Sequence, residues 1–225
     1  MDRGFGLDVP ETLAELCRRE RLALVVYDMQ VGIVPQLPDG REVTRAVAGV
    51  LDAARAGGFR VFFTRHMSLP NEVAGVSQLR TAKAWQRTRT VADVKPSFPR
   101  DSPQFQIVPE LEPRPSEAIF DKIGMSAFVG TPLEMALRDC GLVAFAIVGI
   151  ALEVGIEPTV RHATDLGLLP VVVADACGAR DRAAAERAFA GFAFAGGSIV
   201  TDIATIAPLL RRAPSRSGLV EGGAP

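Results

Sequence analysis

Six short apolar runs of strand length recur along the chain, separated by longer stretches with helical spacing. They are Leu22–Tyr27, ending at Asp28; Arg60–Thr64, ending near His66; Glu117–Phe120, ending at Asp121 and Lys122; Val143–Val148, running into Gly149; Pro170–Ala174, ending at Asp175; and the weaker Ser198–Thr201. Such continuous, β-branched runs suit strands covered on both faces, as in a parallel sheet. Between them, residues 41–57 place Val43, Val47, Val50, Leu51 and Ala54 at three- and four-residue spacing, and Gly57-Gly58 stops that helix. Residues 131–140 open on Thr131-Pro132 and carry Glu134, which predicts an N-cap with proline in the first turn. Residues 156–166 and 181–194 predict two more helices. Alternation of this kind reads as a right-handed βαβ series, an α/β doubly wound sheet with helices on both faces.

The stretch 65–116 departs from the pattern. It contains Pro70, Pro96, Pro99, Pro103, Pro109, Pro113 and Pro115, and one helix is expected around 75–87. A crossover of that length in a compact domain reads as a lid or an interface arm. Residues 1–213 are expected to form one domain, and residues 214–225, from Pro214 onward, a flexible tail.

Composition narrows the picture. Of 225 residues, 25 are basic and 26 acidic, a balance that argues against a nucleic-acid or polyanion binder. No window reaches the ~18 consecutive apolar residues of a membrane span, and the charged N-terminus has no apolar signal core. Cys17, Cys140 and Cys177 lie far apart with no CxxC spacing, which fits a reducing, cytoplasmic setting. With only His66 and His162 and no cysteine pair, a structural zinc site is not expected.

In open parallel sheets, ligands bind beyond the carboxyl ends of the strands, near the point where strand order reverses. Asp28, His66, Lys122, the 149–155 segment and Asp175 all stand at such ends. Asp28 follows an apolar strand and precedes Met29-Gln30. Burial there favours the protonated carboxyl unless a cation pairs with it. Lys122 holds the matching place after the third strand, and an Asp–Lys pair in a cleft can hold or deliver a proton. A capping Asp28 and a solvated Lys122 are the plain alternative. Gly149 and Gly155 bracket a turn from strand into helix, with Pro158 in the first helical turn; N–H groups there would cradle an anion or oxyanion, or simply form a tight turn.

Several segments together resemble the isochorismatase-like hydrolase superfamily, which includes nicotinamidases and N-carbamoyl amidohydrolases. They are Leu24-Val-Val-Tyr-Asp28-Met-Gln30, Lys122 followed by Ser126-Ala-Phe128, Thr131-Pro-Leu-Glu134, Val148 through Ala163, and Val172 through Ala179. The likeness spans about residues 20–205. It implies a six-stranded parallel sheet of order 3-2-1-4-5-6, counted from the strand at 22–27, so that Asp28 and the 149–155 loop meet at the switch point. Most members use an Asp–Lys–Cys triad. Asp28 and Lys122 match its first two members, but Gly155 stands where the resemblance implies the nucleophilic cysteine. Cys140 ends a helix and Cys177 follows the next strand, so neither substitutes by position. True isochorismatases carry glycine there too; they hydrolyse a vinyl ether, releasing pyruvate, without a nucleophile.

By that resemblance Asp28 would donate the proton and Lys122 orient it. Gly155 would leave space for substrate, and N–H groups near Ala151 and Gly155 would bind substrate oxygen, with a cis peptide expected at Ile150–Ala151. Gln30 and Phe128 join the expected substrate contacts. The turn Ala151-Leu152-Glu153 is closer to the amidohydrolase pattern than to the aromatic and histidine of the isochorismatase branch. Cations for an anionic substrate are expected from Arg80, Lys83, Arg87 or Arg89, and Arg87 is the one expected at the site. His66 lies where nicotinamidases place a metal ligand, but the accompanying Asp and second His are absent, so neither metal nor cofactor is expected. The leading reading is vinyl-ether hydrolysis of a small anionic molecule by Asp/Lys acid–base chemistry; amide or ester hydrolysis with directly activated water, or a lyase or isomerase reaction, and an inactive binding member of the family stay open beside it. The expected partner is a small molecule, with no nucleic acid and no membrane, and the chain is expected to form a homodimer or larger homo-oligomer.

Overall fold

The computed structural model describes residues 1–212, so the tail expected from Pro214 lies outside the described residues. A short antiparallel hairpin, β1 (Asp2–Gly4) and β2 (Leu7–Val9), leads into a one-turn helix, α1 (Leu13–Leu16). The sheet strands are β3 (Leu22–Tyr27), β4 (Arg60–His66), β5 (Ala118–Lys122), β6 (Ala144–Ile150), β7 (Leu169–Gly178) and β8 (Ile199–Thr201). The helices are α2 (Gly40–Ala56), α3 (Val76–Gln86), α4 (Leu133–Asp139), α5 (Glu157–Asp165), α6 (Arg182–Ala195) and α7 (Ile203–Arg211). The sheet is wholly parallel, in the order β5-β4-β3-β6-β7-β8. Counting from β3, this is the expected 3-2-1-4-5-6 order.

The continuous apolar strands follow from two covered faces. In β3, Leu22, Leu24 and Val26 enter the core beneath α2 and α7. Ala23, Val25 and Tyr27 enter the opposite core, beneath α4, α5 and α6. Every residue of β3 and β6 is buried. The α2 stripe is as its spacing predicts: Val43, Val47, Val50, Leu51 and Ala54 are buried.

The structure departs from the sequence reading at element ends. Strand β5 continues through Asp121 and Lys122, pairing Arg65 with Asp121 and His66 with Lys122 in the ladder. The charges are tolerated because each is matched: Asp121 pairs with Arg65 at 2.8 Å and with Arg100 at 3.5 Å. Strand β7 likewise runs to Gly178, with a register shift opposite Ile147 and Gly149, so Asp175 and Cys177 lie inside it. Helix α7 has no counterpart in the sequence reading because Pro208 sits within it. Its buried Ile206, Ala207 and Leu210 pack on α2, close enough that a Cβ on Gly57 would lie 2.0 Å from the Leu210 carbonyl oxygen.

The proline-rich excursion is docked against the sheet. Val31 N–H donates to the Gln106 carbonyl at 2.8 Å, Gly32 N–H to Gln104 at 2.9 Å and Val108 N–H to Met29 at 2.9 Å. Buried Phe105, Val108 and Leu111 anchor it. At its end Arg55, from the last turn of α2, makes a two-pronged ion pair with Glu117 at 2.7 and 2.8 Å and also donates to the carbonyls of Leu111 and Glu112. The two side chains are only 10% and 5% exposed.

Removing one partner of such a pair strands the other, so Glu117→Ala should lower unfolding stability by about 3–5 kcal/mol in urea titrations. Burial alone would raise the Glu117 pKa; Arg55 and the Arg114 N–H outweigh it and hold the carboxyl below its ordinary 4.5. The folded state therefore binds this proton less tightly than the unfolded chain. The contribution is present above about pH 4.5 and fades as pH falls through the depressed folded value, and Glu117→Ala should lack that component of the pH dependence.

Candidate active site

The strand-order reversal falls between β3 and β6, where Tyr27 pairs in register with Gly149. The chain leaves β3 through Asp28, whose φ of 47° is left-handed, a region that Asp tolerates better than most side chains. The turn sends Met29 into the core and leaves Asp28, 4% exposed, at the carboxyl end of the central strand. Thr64 on β4 donates its hydroxyl to Asp28 Oδ1 at 2.7 Å. Lys122, the last residue of β5, reaches across β4 to donate Nζ to Asp28 Oδ2 at 2.7 Å, and Nζ also donates to the Gly124 carbonyl at 3.2 Å. The ammonium lies 4.3 Å from the centre of the Tyr27 ring, a cation–π contact. Burial lowers the Lys122 pKa, and Asp28 opposes that shift. One Asp28 oxygen thus faces the Lys122 ammonium and the other a hydroxyl donor.

Asp28 opens onto a cleft of about 60 Å³ whose walls include Tyr27, His66, Trp85, Met125, Ala151 and Gly155. His66, Trp85 and Met125 also border a larger basin of about 280 Å³ between α3 and residues 94–97. The inner cleft admits only the reacting end of a ligand, since whole small-molecule sites run to roughly 300–1,000 Å³. The basin is lined by neutral polar groups such as Asn71, Gln78 and Gln86, with Lys95 its cation. Burial, and then the Lys122 charge, lower the His66 pKa, and its Nδ1 is buried without a partner. Among the described residues, no three His, Cys, Asp or Glu side chains are placed to hold a metal ion.

The structure thus brings Asp28, Lys122, Gly155, Ile150 and Ala151 together, and the Ile150–Ala151 peptide is cis. It places the other candidates elsewhere. The Gln30 side chain is fully committed, donating to the carbonyls of His66 and Phe105 and accepting from the His66 N–H. It is a staple between β3, β4 and the excursion. Phe128 is buried edge-on against Phe145 and His162. Arg87 is the exposed, left-handed cap of α3, and Arg80, Lys83, Arg87 and Arg89 line neither cavity. The cation bordering the inner cleft is Arg180, in the loop after β7. Asp175 accepts from the Ile203 N–H at 2.9 Å, at the start of α7.

Two expectations for Gly155 need correction. Its N–H donates to the Ala151 carbonyl at 3.0 Å inside a π-turn (Leu152–Ile156), so that donor is already used. The space above its Cα is filled by the Tyr27 phenol, whose hydroxyl donates to the Met125 carbonyl. No cysteine lines the cleft. Cys140 caps α4, while the Cys177 thiol faces the Ile147 carbonyl and is pushed far up in pKa by burial.

The isochorismatase domain model matches residues 22–205. The chain belongs to the isochorismatase family. Its relatives include the family protein YwoC of Bacillus subtilis, 29% identical over 157 residues, covering 70% of this chain and 77% of that one. The ureidoacrylate amidohydrolase RutB of Acinetobacter baylyi is 25% identical over 174 residues, covering 70% and 71%. The crystal structure of a cysteine hydrolase from Pseudomonas syringae pv. phaseolicola superposes with a TM-score of 0.74, covering 88% of this chain and 95% of that one at 21% identity, a likeness of fold. This chain is thus an isochorismatase-like hydrolase. Among the described residues, no helix is long and apolar enough to cross a membrane.

Sequence reasoning missed Tyr27, Thr64 and Arg180. Tyr27 left a signal: it is the chain's one tyrosine, set at the end of an otherwise aliphatic strand beside Asp28. Thr64→Val would deprive a buried carboxylate of its hydroxyl donor. It should lower stability by about 1–3 kcal/mol in urea unfolding, with the fold retained by circular dichroism.

Proposed function

We propose that this protein hydrolyses a small C–N substrate by direct attack of water, with Asp28 as the proton carrier, Lys122 as its positioning partner and no covalent intermediate. The observation that carries this reading is the buried Asp28–Lys122 pair at 2.7 Å, opening onto the cleft through the carboxylate alone. A carboxylate held beside an ammonium is a base. It takes a proton from water as the water oxygen bonds to the carbonyl carbon, then hands that proton to the leaving nitrogen as the C–N bond breaks. The products are an acid and an amine or ammonia, and Asp28 returns to its ionised state. Lys122 is sealed from the cleft, so its part is to hold and charge-balance Asp28. The amidohydrolase RutB among the relatives supports C–N chemistry.

Vinyl-ether hydrolysis is the second reading, favoured by the glycine at position 155. It asks Asp28 to begin as a neutral acid, against the ammonium beside it.

The two are separated by assaying ammonia release from a panel of N-carbamoyl and primary amide compounds alongside pyruvate release from isochorismate. Ammonia release is expected, with kcat/KM falling by about 10²–10⁴-fold in Asp28→Asn. Lys122→Met should cut kcat by a comparable factor and leave KM less affected. Pyruvate release would establish the second reading. Undiminished turnover in Asp28→Asn would remove both, and saturable binding without turnover would leave an inactive binding member of the family.

A further inference from the structure

Gly155 is a glycine for lack of room. Its φ lies outside the left-handed region, so its backbone does not ask for glycine. A Cβ built there would lie 2.0 Å from the Tyr27 hydroxyl oxygen, 2.4 Å from Cζ and 2.5 Å from Cε1. The first atom of any side chain at 155 would coincide with the end of the phenol.

Tyr27 has nowhere to go. It is 2% exposed, belongs to the buried apolar cluster on its face of the sheet, donates its hydroxyl to Met125 and carries the Lys122 ammonium over its ring. Burial, and then the charge of Asp28, hold the phenol well above its ordinary pKa, so it stays neutral and is no nucleophile itself.

We propose that Tyr27 is the specificity-determining residue of this cleft: its phenol fills the seat that a side chain at 155 would take, so no protein nucleophile can stand beside Asp28 and water must attack. The proposal rests on the reading of Asp28 as the proton acceptor and extends it by naming what enforces the choice of water. It makes positions 27 and 155 strongly coupled. A side chain at 155 is intolerable while the phenol is present and welcome once it is gone. A thiol in the vacated seat would lose its proton to Asp28 and feel the nearby Lys122 charge, both of which activate it.

The test compares the wild type, Gly155→Cys, Tyr27→Val and the double variant by thermal melting and by alkylation with iodoacetamide at pH 7, read by peptide mass spectrometry. In that reaction sulfur bonds to the reagent's methylene carbon, iodide leaves and the thiol proton passes to the protein or buffer. Valine suits the buried strand position. Gly155→Cys alone should melt on the order of 5–10 °C below the wild type, because the overlap cannot relax. The double variant should melt within about 3 °C of Tyr27→Val. Its introduced thiol should alkylate about tenfold faster than Cys140 of the same protein, a half-buried thiol outside the cleft.

Three results would overturn the proposal: Gly155→Cys alone melting like the wild type, a double variant no more stable than Gly155→Cys, or a stable double variant whose introduced thiol is inert. None of these readouts needs turnover. Failure here removes the role of Tyr27 and leaves Asp28 as base, whereas a failed ammonia assay removes the reaction and leaves the coupling of 27 with 155.

Discussion

A lysine ammonium whose side chain is 0% exposed can persist only beside a carboxylate, and here the two come from strands that do not touch. Lys122 ends β5 and Asp28 follows β3, with β4 between them. Their contact requires the register of two strand pairs to hold together. One residue of slip in either would turn Lys122 to the other face and leave a buried charge unmatched. Thr64 on β4 completes the arrangement with its donor to Asp28. The pair is a constraint on the whole left half of the sheet as much as a piece of chemistry.

The cleft is small because neighbouring side chains already occupy most of the space at the switch point. Tyr27 lies on Gly155, the π-turn spends the Gly155 N–H on Ala151, and Trp85 and Met125 close the outer wall. The charged groups bordering the cleft are the Asp28 carboxylate and Arg180, with His66 beside them. A larger basin adjoins the cleft, lined largely by residues of the docked excursion. The proline-rich stretch, expected as a lid or an interface arm, supplies a wall of that basin. Its backbone bonds to residues 29–32 and the Arg55–Glu117 pair fasten it at both ends.

Residues that looked alike in the sequence proved to have different tasks. Asp28 and Asp175 each close an apolar run, but the register shift in β7 carries Asp175 to the start of α7. Gln30, two residues from Asp28, spends all its hydrogen-bonding groups on backbone. Arg87, a cation on the excursion, stands where α3 ends and is presented to solvent. Arg180, unremarked in the sequence, borders the cleft from the loop that follows β7.

The chain order of apolar runs, the α2 stripe and the short motifs around Asp28, Lys122 and Gly155 determined by themselves that this is a doubly wound parallel sheet of the isochorismatase type. These signals are local: periodicity reports burial, and a motif reports the turn that it encodes. Which polar groups converge, and which space is empty, depends on residues far apart in the chain meeting at van der Waals distance. Only the tertiary structure could decide that Gly155 is covered rather than open, since the atom that covers it belongs to Tyr27, more than a hundred residues away and one strand over.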